Sequence, residues 1–215
     1  DVAALGNVAG TFATQVGDVS INSLGSANAT VTAAKSAQVR AAGNVSGSVN
    51  ATWGSATVVS AGSATPHSPS GQVNANVAAR QDVRVAAYGG DVNGSVSSAR
   101  GKATVTALGN ISGTITAGAG VEASAGGNLS SGATVQGQGK VTVTALGGVY
   151  ATVTSQKGHA AVVAGTELTQ NVQGYVLAEA RAMTGDLSGS VSSNVGKAYA
   201  SAGGSIGGTV SAPVF

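Results

Sequence analysis

Apolar residues recur along this chain at two spacings. Locally they alternate with polar or small residues, as in GDVNGSVSS from Gly90, and the unit starts again as GNISGTITAG from Gly109. A period of about 19 residues is the mark of a solenoid. Openings of this kind fall at Gly6, Gly25, Gly43, Gly71, Gly90, Gly109, Gly127, Gly147, Thr166, Gly185 and Gly204, evenly spaced except for one long interval between Gly43 and Gly71. The third residue of each opening is apolar, from Val8 to Ile206. The seventh is nearly as regular, as in Phe12, Val31, Val96 and Ile115, and the fifth is mostly Gly or Ala. Alternation places positions three, five and seven on one face of a strand, and large, small, large along that face predicts coils that stack without a void.

A second alternating run closes many repeats, for instance Ala103, Val105 and Ala107, or Val141, Val143 and Ala145. Each repeat therefore holds at least two strand arms joined by Gly-, Ser- and Asn-rich turns. One repeat is too short for two helices and a turn, and β-branched alternation opposes helix. What is left is an all-β parallel β-helix (β-solenoid) of about eleven 19-residue coils, in a single array over residues 1–215. The residue after the opening is Asn7, Asn44, Asp91, Asn110, Asn128 or Asp186 in six repeats, expected as a ladder of corner side chains rather than a calcium row. The long interval carries an insertion at about residues 60–70, with Pro66 and Pro69 marking a loop thrown out from the coil wall. Trp53, Pro66, His67 and Pro69 form the candidate surface-recognition group on this irregularity. LAEARAMT, from Leu177 to Thr184, fits the second arm poorly and reads as a shifted register or a short helical turn.

Composition supports the array and narrows the chemistry. The chain has 34 glycines, 8% charged residues and 42% hydrophobic ones. So few charges among so many aliphatic residues reject disorder. A net charge of +2 with no Lys/Arg run gives no case for nucleic acid. No apolar run reaches the length of a membrane span, and the lack of cysteine excludes disulfides and thiolate metal sites. No cofactor is expected. Beginning at Asp1 in mid-repeat, the chain reads as a fragment or a processed product, and both ends read as interior repeats without a polar cap. A glycosidase needs two carboxyl groups about 5 Å to about 10 Å apart. The repeat register sets no two acids plainly on one face of adjacent coils. His67 and His159 lack a matched acid or nucleophile, so no catalytic residue is assigned. Lys35, Arg80, Arg100, Lys102, Lys140, Lys157 and Lys197 all fall between the tenth and fourteenth positions, a candidate basic edge able to meet acidic glycans. Thr-x-Thr pairs, from Thr30/Thr32 to Thr152/Thr154, alternate between the arms and tile no single face.

The Gly-Asn-Val/Ile-x-Gly-x-Val/Ile unit and its period resemble the repeats of filamentous-haemagglutinin-like exoproteins of the two-partner secretion route, and are similar to autotransporter adhesin passengers. The resemblance implies a right-handed β-helix at a bacterial surface or outside the cell, acting as an adhesive stalk or display scaffold. Its partners would be a host or neighbouring-cell surface glycan or protein, or copies of itself end to end. A self-assembling filament or sheath subunit and a carbohydrate-active β-helix enzyme are the competing expectations.

Overall fold

A computed structural model describes residues 1–62 and 71–213. They form a parallel β-solenoid of eleven turns, with the strands of each arm paired to their equivalents in the neighbouring repeats. The second arms build an 11-stranded sheet running from Val2–Ala4 to Lys197–Ala202, and the first arms build a 13-stranded sheet from Val8–Thr14 to Val210–Ser211. Registry follows the repeat: Val105 pairs with Val85 on one side and Ala123 on the other, and Ile115 with Val96 and Val135. The inward rows of both sheets meet in one continuous apolar core.

Alternation accounts for that core. Strands such as Ala27–Ala33 and Val73–Ala79 bury every second residue over seven positions, and second-arm strands such as Ala103–Ala107 do so over five. Leu177–Ala182 follows the same rule. Ala178, Ala180 and Ala182 are buried while Glu179 and Arg181 point outward, in register with the strands of the coils on both sides. The expectation of a shifted register or helical turn there is corrected: small inward alanines carry the alternation, and the large charged residues occupy the outward positions between them.

The first arm changes along the rod. In the first four coils it is one unbroken seven-residue strand. From Val92–Asn93 onward it breaks at the fifth position, and the third-position residues continue as a separate column of bridges from Ile111 through Leu129, Val149, Leu168 and Leu187 to Ile206. The expected inward fifth position therefore holds for Ala29, Ala75 and Ala151, which are buried, and fails at Gly47 and Gln170, which are exposed. Third-position side chains grow over the same stretch, from Ala27, Val45 and Val73 to Ile111, Leu129, Leu168 and Leu187, supplying the volume that an outward-turned fifth residue does not provide.

Gly113 shows why glycine recurs where the arm breaks. Its φ is 108°, and a Cβ there would fall against the carbonyl of Gly94 one coil earlier. Gly113→Ala should therefore lower stability by about 1–3 kcal/mol, since both the backbone conformation and the neighbouring coil oppose a side chain. Gly6→Ala, at a glycine with no heavy atom within 4 Å of an added Cβ, should be close to neutral. Urea unfolding followed by far-UV circular dichroism compares the two, and equal midpoints would contradict the assignment.

Candidate functional site

The chain turns at two corners. The first links the first arm to the second within a coil, and the other leads from the second arm into the next coil. The Asn and Asp that follow the repeat opening stand at this second corner, and their role is structural. Asn7 Oδ1 accepts from the backbone N–H of Ser26 at 2.8 Å, Asn110 Oδ1 from Asn128 N–H at 2.8 Å, Asn128 Oδ1 from Gly148 N–H at 2.7 Å, and Asp186 Oδ1 from Ser205 N–H at 2.7 Å. Each staple thus joins one coil to the next. The opening glycine is part of it, because a Cβ on Gly127 would strike Asn110 Oδ1 at 2.5 Å. Asp18 and Asp82 make the same bond at the first corner, to Ser36 N–H and Lys102 N–H. Inward serines complete the turns: Ser23 donates to Gly6 O at 2.7 Å, and Ser98 to Gln81 O and Ser155 to Gly139 O at 2.6 Å. Among the described residues no buried side-chain polar atom lacks a partner.

All seven residues of the predicted basic edge lie on the first corner or at its exit into the second arm. Strand register puts Lys102 and Lys140 in one column with Gly120 between them, and continues it to His159, Leu177 and Lys197. Their charge is not left free everywhere. Lys102 pairs with Glu122, which holds that carboxyl below the usual range, and Lys140 adds to the effect from the following coil. The pair is present at neutral pH and is lost as pH falls through the lowered carboxyl pKa; because both groups are half exposed, it adds little to stability. Lys102, Glu122, Lys140 and Thr142 line an open cleft of about 540 Å³, which exists because the coil between the two lysines turns on Gly118, Ala119 and Gly120 without a long side chain. Arg80 lies over the ring of Trp53, 4.2 Å from its centroid, a cation–π contact.

Trp53 lies apart from the neck of the proline-bearing insertion. It stands on the first corner, whereas the chain departs at Gly62 and returns at Gly71 on the second, the opposite end of the second-arm strand Ala56–Ser60. Pro66, His67 and Pro69 lie outside the described residues. The neck is tied by Asn44, whose Oδ1 accepts from the N–H groups of both Gly71 and Gln72, so the repeat resumes in register after the insertion.

Two features were missed in the sequence. Glu167 and Asp186 do share a column on adjacent coils, since Leu168 and Leu187, each the next residue, are bridged. Reading the second position across neighbouring openings would have found them. One oxygen of each is engaged: Glu167 Oε1 accepts from the Tyr150 hydroxyl at 2.5 Å, and Asp186 Oδ1 holds its staple. Among the described residues no group of three or more His, Cys, Asp or Glu could hold a metal ion, and no helix is long and apolar enough to cross a membrane. The second feature is a row of exposed apolar residues just before the repeat openings: Leu5, Leu24, Leu108 and Leu146, with Tyr88 and Met183 in the same column. The repeated Ala-Leu-Gly and Ser-Leu-Gly were its signal. No protein-family model, curated protein or solved structure matches the chain.

Two measurements test this reading of the corners. Asn110→Ala should cost about 1–2 kcal/mol in urea unfolding by leaving the Asn128 N–H unpaired. Asn110→Asp should retain most of the stability, as the natural Asp91 and Asp186 staples imply. Tyr150 should resist ionisation beyond ordinary tyrosine because its hydroxyl donates to Glu167, and the bond should persist at neutral pH and break as pH rises through the raised phenol pKa. In a phenolate absorbance titration, Glu167→Ala should move one tyrosine to lower pH; an unchanged curve would rule the contact out.

Proposed function

We propose that this chain is a structural and adhesive segment of a secreted bacterial surface protein, serving as a stalk or display scaffold. The observation that carries the reading is the unbroken coil-to-coil ladder, which joins all eleven turns around one core. At the spacing of hydrogen-bonded strands, about 4.8 Å per turn, this makes a rod about 50 Å long. Such a rod holds whatever precedes its first coil and whatever follows its last at opposite poles. Each coil contacts only its neighbours, so length is set by repeat number and the outward side chains are free to vary. The small inward residues and stapled corners support a rigid spacer, and the basic first corner and its cleft offer contact groups for a surface glycan or protein. The repeat's resemblance to two-partner exoproteins supports the extracellular location.

Antibody raised against the purified chain should label intact source cells or their culture medium. Labelling that requires permeabilisation overturns the surface assignment. Beads coated with the chain should be retained on immobilised cell-surface glycans or proteins above albumin-coated beads, and equal retention across the panel overturns the adhesive role.

A further inference from the structure

The break in the first arm decides which residue follows Asn93. Gly47, Gly94 and Gly113 hold the fifth position of their repeats with φ of 107°, 149° and 108°, a region that favours glycine. At Gly94 a Cβ would also fall 2.3 Å from Ala75 O, so the stacking of coil on coil excludes a side chain there. The residues before these three glycines are Ser46, Asn93 and Ser112. Asn93 is the one asparagine of the chain followed by glycine; Asn28 and Asn74, at the same repeat position, precede Ala29 and Ala75. An Asn-Gly step has a chemistry of its own, because without a Cβ on the second residue its backbone nitrogen can swing against the side-chain amide carbon of the first. In the folded rod that amide is tied on both sides. Asn93 Nδ2 donates to Asn74 Oδ1 at 2.9 Å, Asn93 Oδ1 accepts from the Ser112 hydroxyl at 2.7 Å, and Gly94 N–H donates to Ser112 O at 3.3 Å. Asn93 itself belongs to the short strand Val92–Asn93, paired with Ile111–Ser112 of the next coil.

We propose that Asn93 is a site of self-modification, kept closed by this ladder and reactive when the fifth coil opens. The Gly94 nitrogen attacks Asn93 Cγ; the new N–Cγ bond closes a succinimide ring, the Cγ–Nδ2 bond breaks, and the amide nitrogen leaves as ammonia with the proton from Gly94. Water then opens the ring at either carbonyl and returns aspartate or isoaspartate, so the net change is one water consumed and one ammonia released. While coils four, five and six are stacked, the leaving nitrogen is donating to Asn74, the carbonyl oxygen is held by Ser112, and the attacking nitrogen's own proton is engaged. All three must be freed together, so the rate follows the population of the opened coil. The product does not fit back. An aspartate at this position has no proton for Asn74 Oδ1 and puts a charge into a sheet whose described strands carry none. Isoaspartate lengthens the backbone by a methylene between the fixed pairings of Val92 with Val73 and Ile111. Modification is thus a one-way record of opening near the middle of the rod.

The test incubates the whole chain in mildly alkaline buffer, folded and in concentrated urea, and follows the tryptic peptide from Val85 to Arg100 by mass spectrometry, with isoaspartate read by enzymatic methylation. Conversion of the folded chain should run at least about 10-fold slower than in urea, because the hydrogen bonds that must open first withhold the reactive form. Asn110, a staple followed by Ile111, should keep its amide in both. Asn74→Ala combined with Ser112→Ala should speed conversion in buffer several-fold and leave the rate in urea unchanged. Asn74 is exposed and Ser112 half-buried, so the variant keeps its core, and circular dichroism checks that it folds. Asn128→Ala, which removes a staple two coils away, should leave the rate in buffer as it is. Refolded from urea, the modified fraction should unfold at a lower urea concentration than the unmodified one. Equal rates in buffer and urea, an Asn93 that stays an amide in urea, no acceleration in the double variant or an equal one in Asn128→Ala each overturn the proposal. So does a modified fraction that refolds to the same urea midpoint.

Discussion

Everything in this molecule depends on the coil-to-coil ladder at the corners being as complete as the ladder between strands. Parallel strands satisfy one another automatically once they are in register, but a turn has no such guarantee, and eleven turns on each side would leave many backbone donors bare. The Asn and Asp staples close this gap by reaching across one repeat to the next N–H, and inward serines cap carbonyls at both corners. The opening glycine and the amide are therefore one device, since the side chain of one coil occupies the space that a Cβ in the following coil would need. This couples positions one full repeat apart and makes the period a chemical requirement rather than a relic of duplication.

Much of the fold was legible because inward positions admit so few residue types. Period, alternation and small side chains led to two arms and eleven coils, and the strand register bears these out. The shared repeat position of the cations could be read in the same way, by counting from each opening. What the sequence hid was local direction. The fifth position looks the same whether its residue turns inward, as at Ala29, or outward, as at Gly47, because Ala and Gly are both small, and only the backbone torsion separates them. Glu179 and Arg181 obscured a regular strand because their charge drew attention from the alanines that set its inward face. Trp53 and the proline segment lie within one repeat of each other in sequence, yet a solenoid sends Trp53 and the neck of that segment to opposite corners. The leucine edge escaped notice because its residues sit at a turn, where alternation gives no guidance about burial.

The distribution of polar character around the rod follows from which positions the ladder leaves unconstrained. Among the described residues no strand of the first-arm sheet contains a charged residue, the second-arm face mixes charge with Thr and Val, and the first corner gathers most of the cations beside exposed Val16 and Trp53. A rod organised this way presents different chemistry along each of its edges. Aligned in columns by the register, weak single contacts become long lines of similar contacts.

The paired neck at Gly62 and Gly71 has a separate consequence for how such a molecule acquires new properties. Because Asn44 holds the returning chain at Gly71 and Gln72, and Ala61 N–H bonds Ala41 O on the departing side, the scaffold fixes both ends of the insertion. The entropy of closing the loop then grows only slowly with its length, so chain of almost any composition can be exchanged there without disturbing the coils on either side. The solenoid behaves at that point as a socket: a place where a graft can be tried, kept or discarded while the rod continues to fold as before.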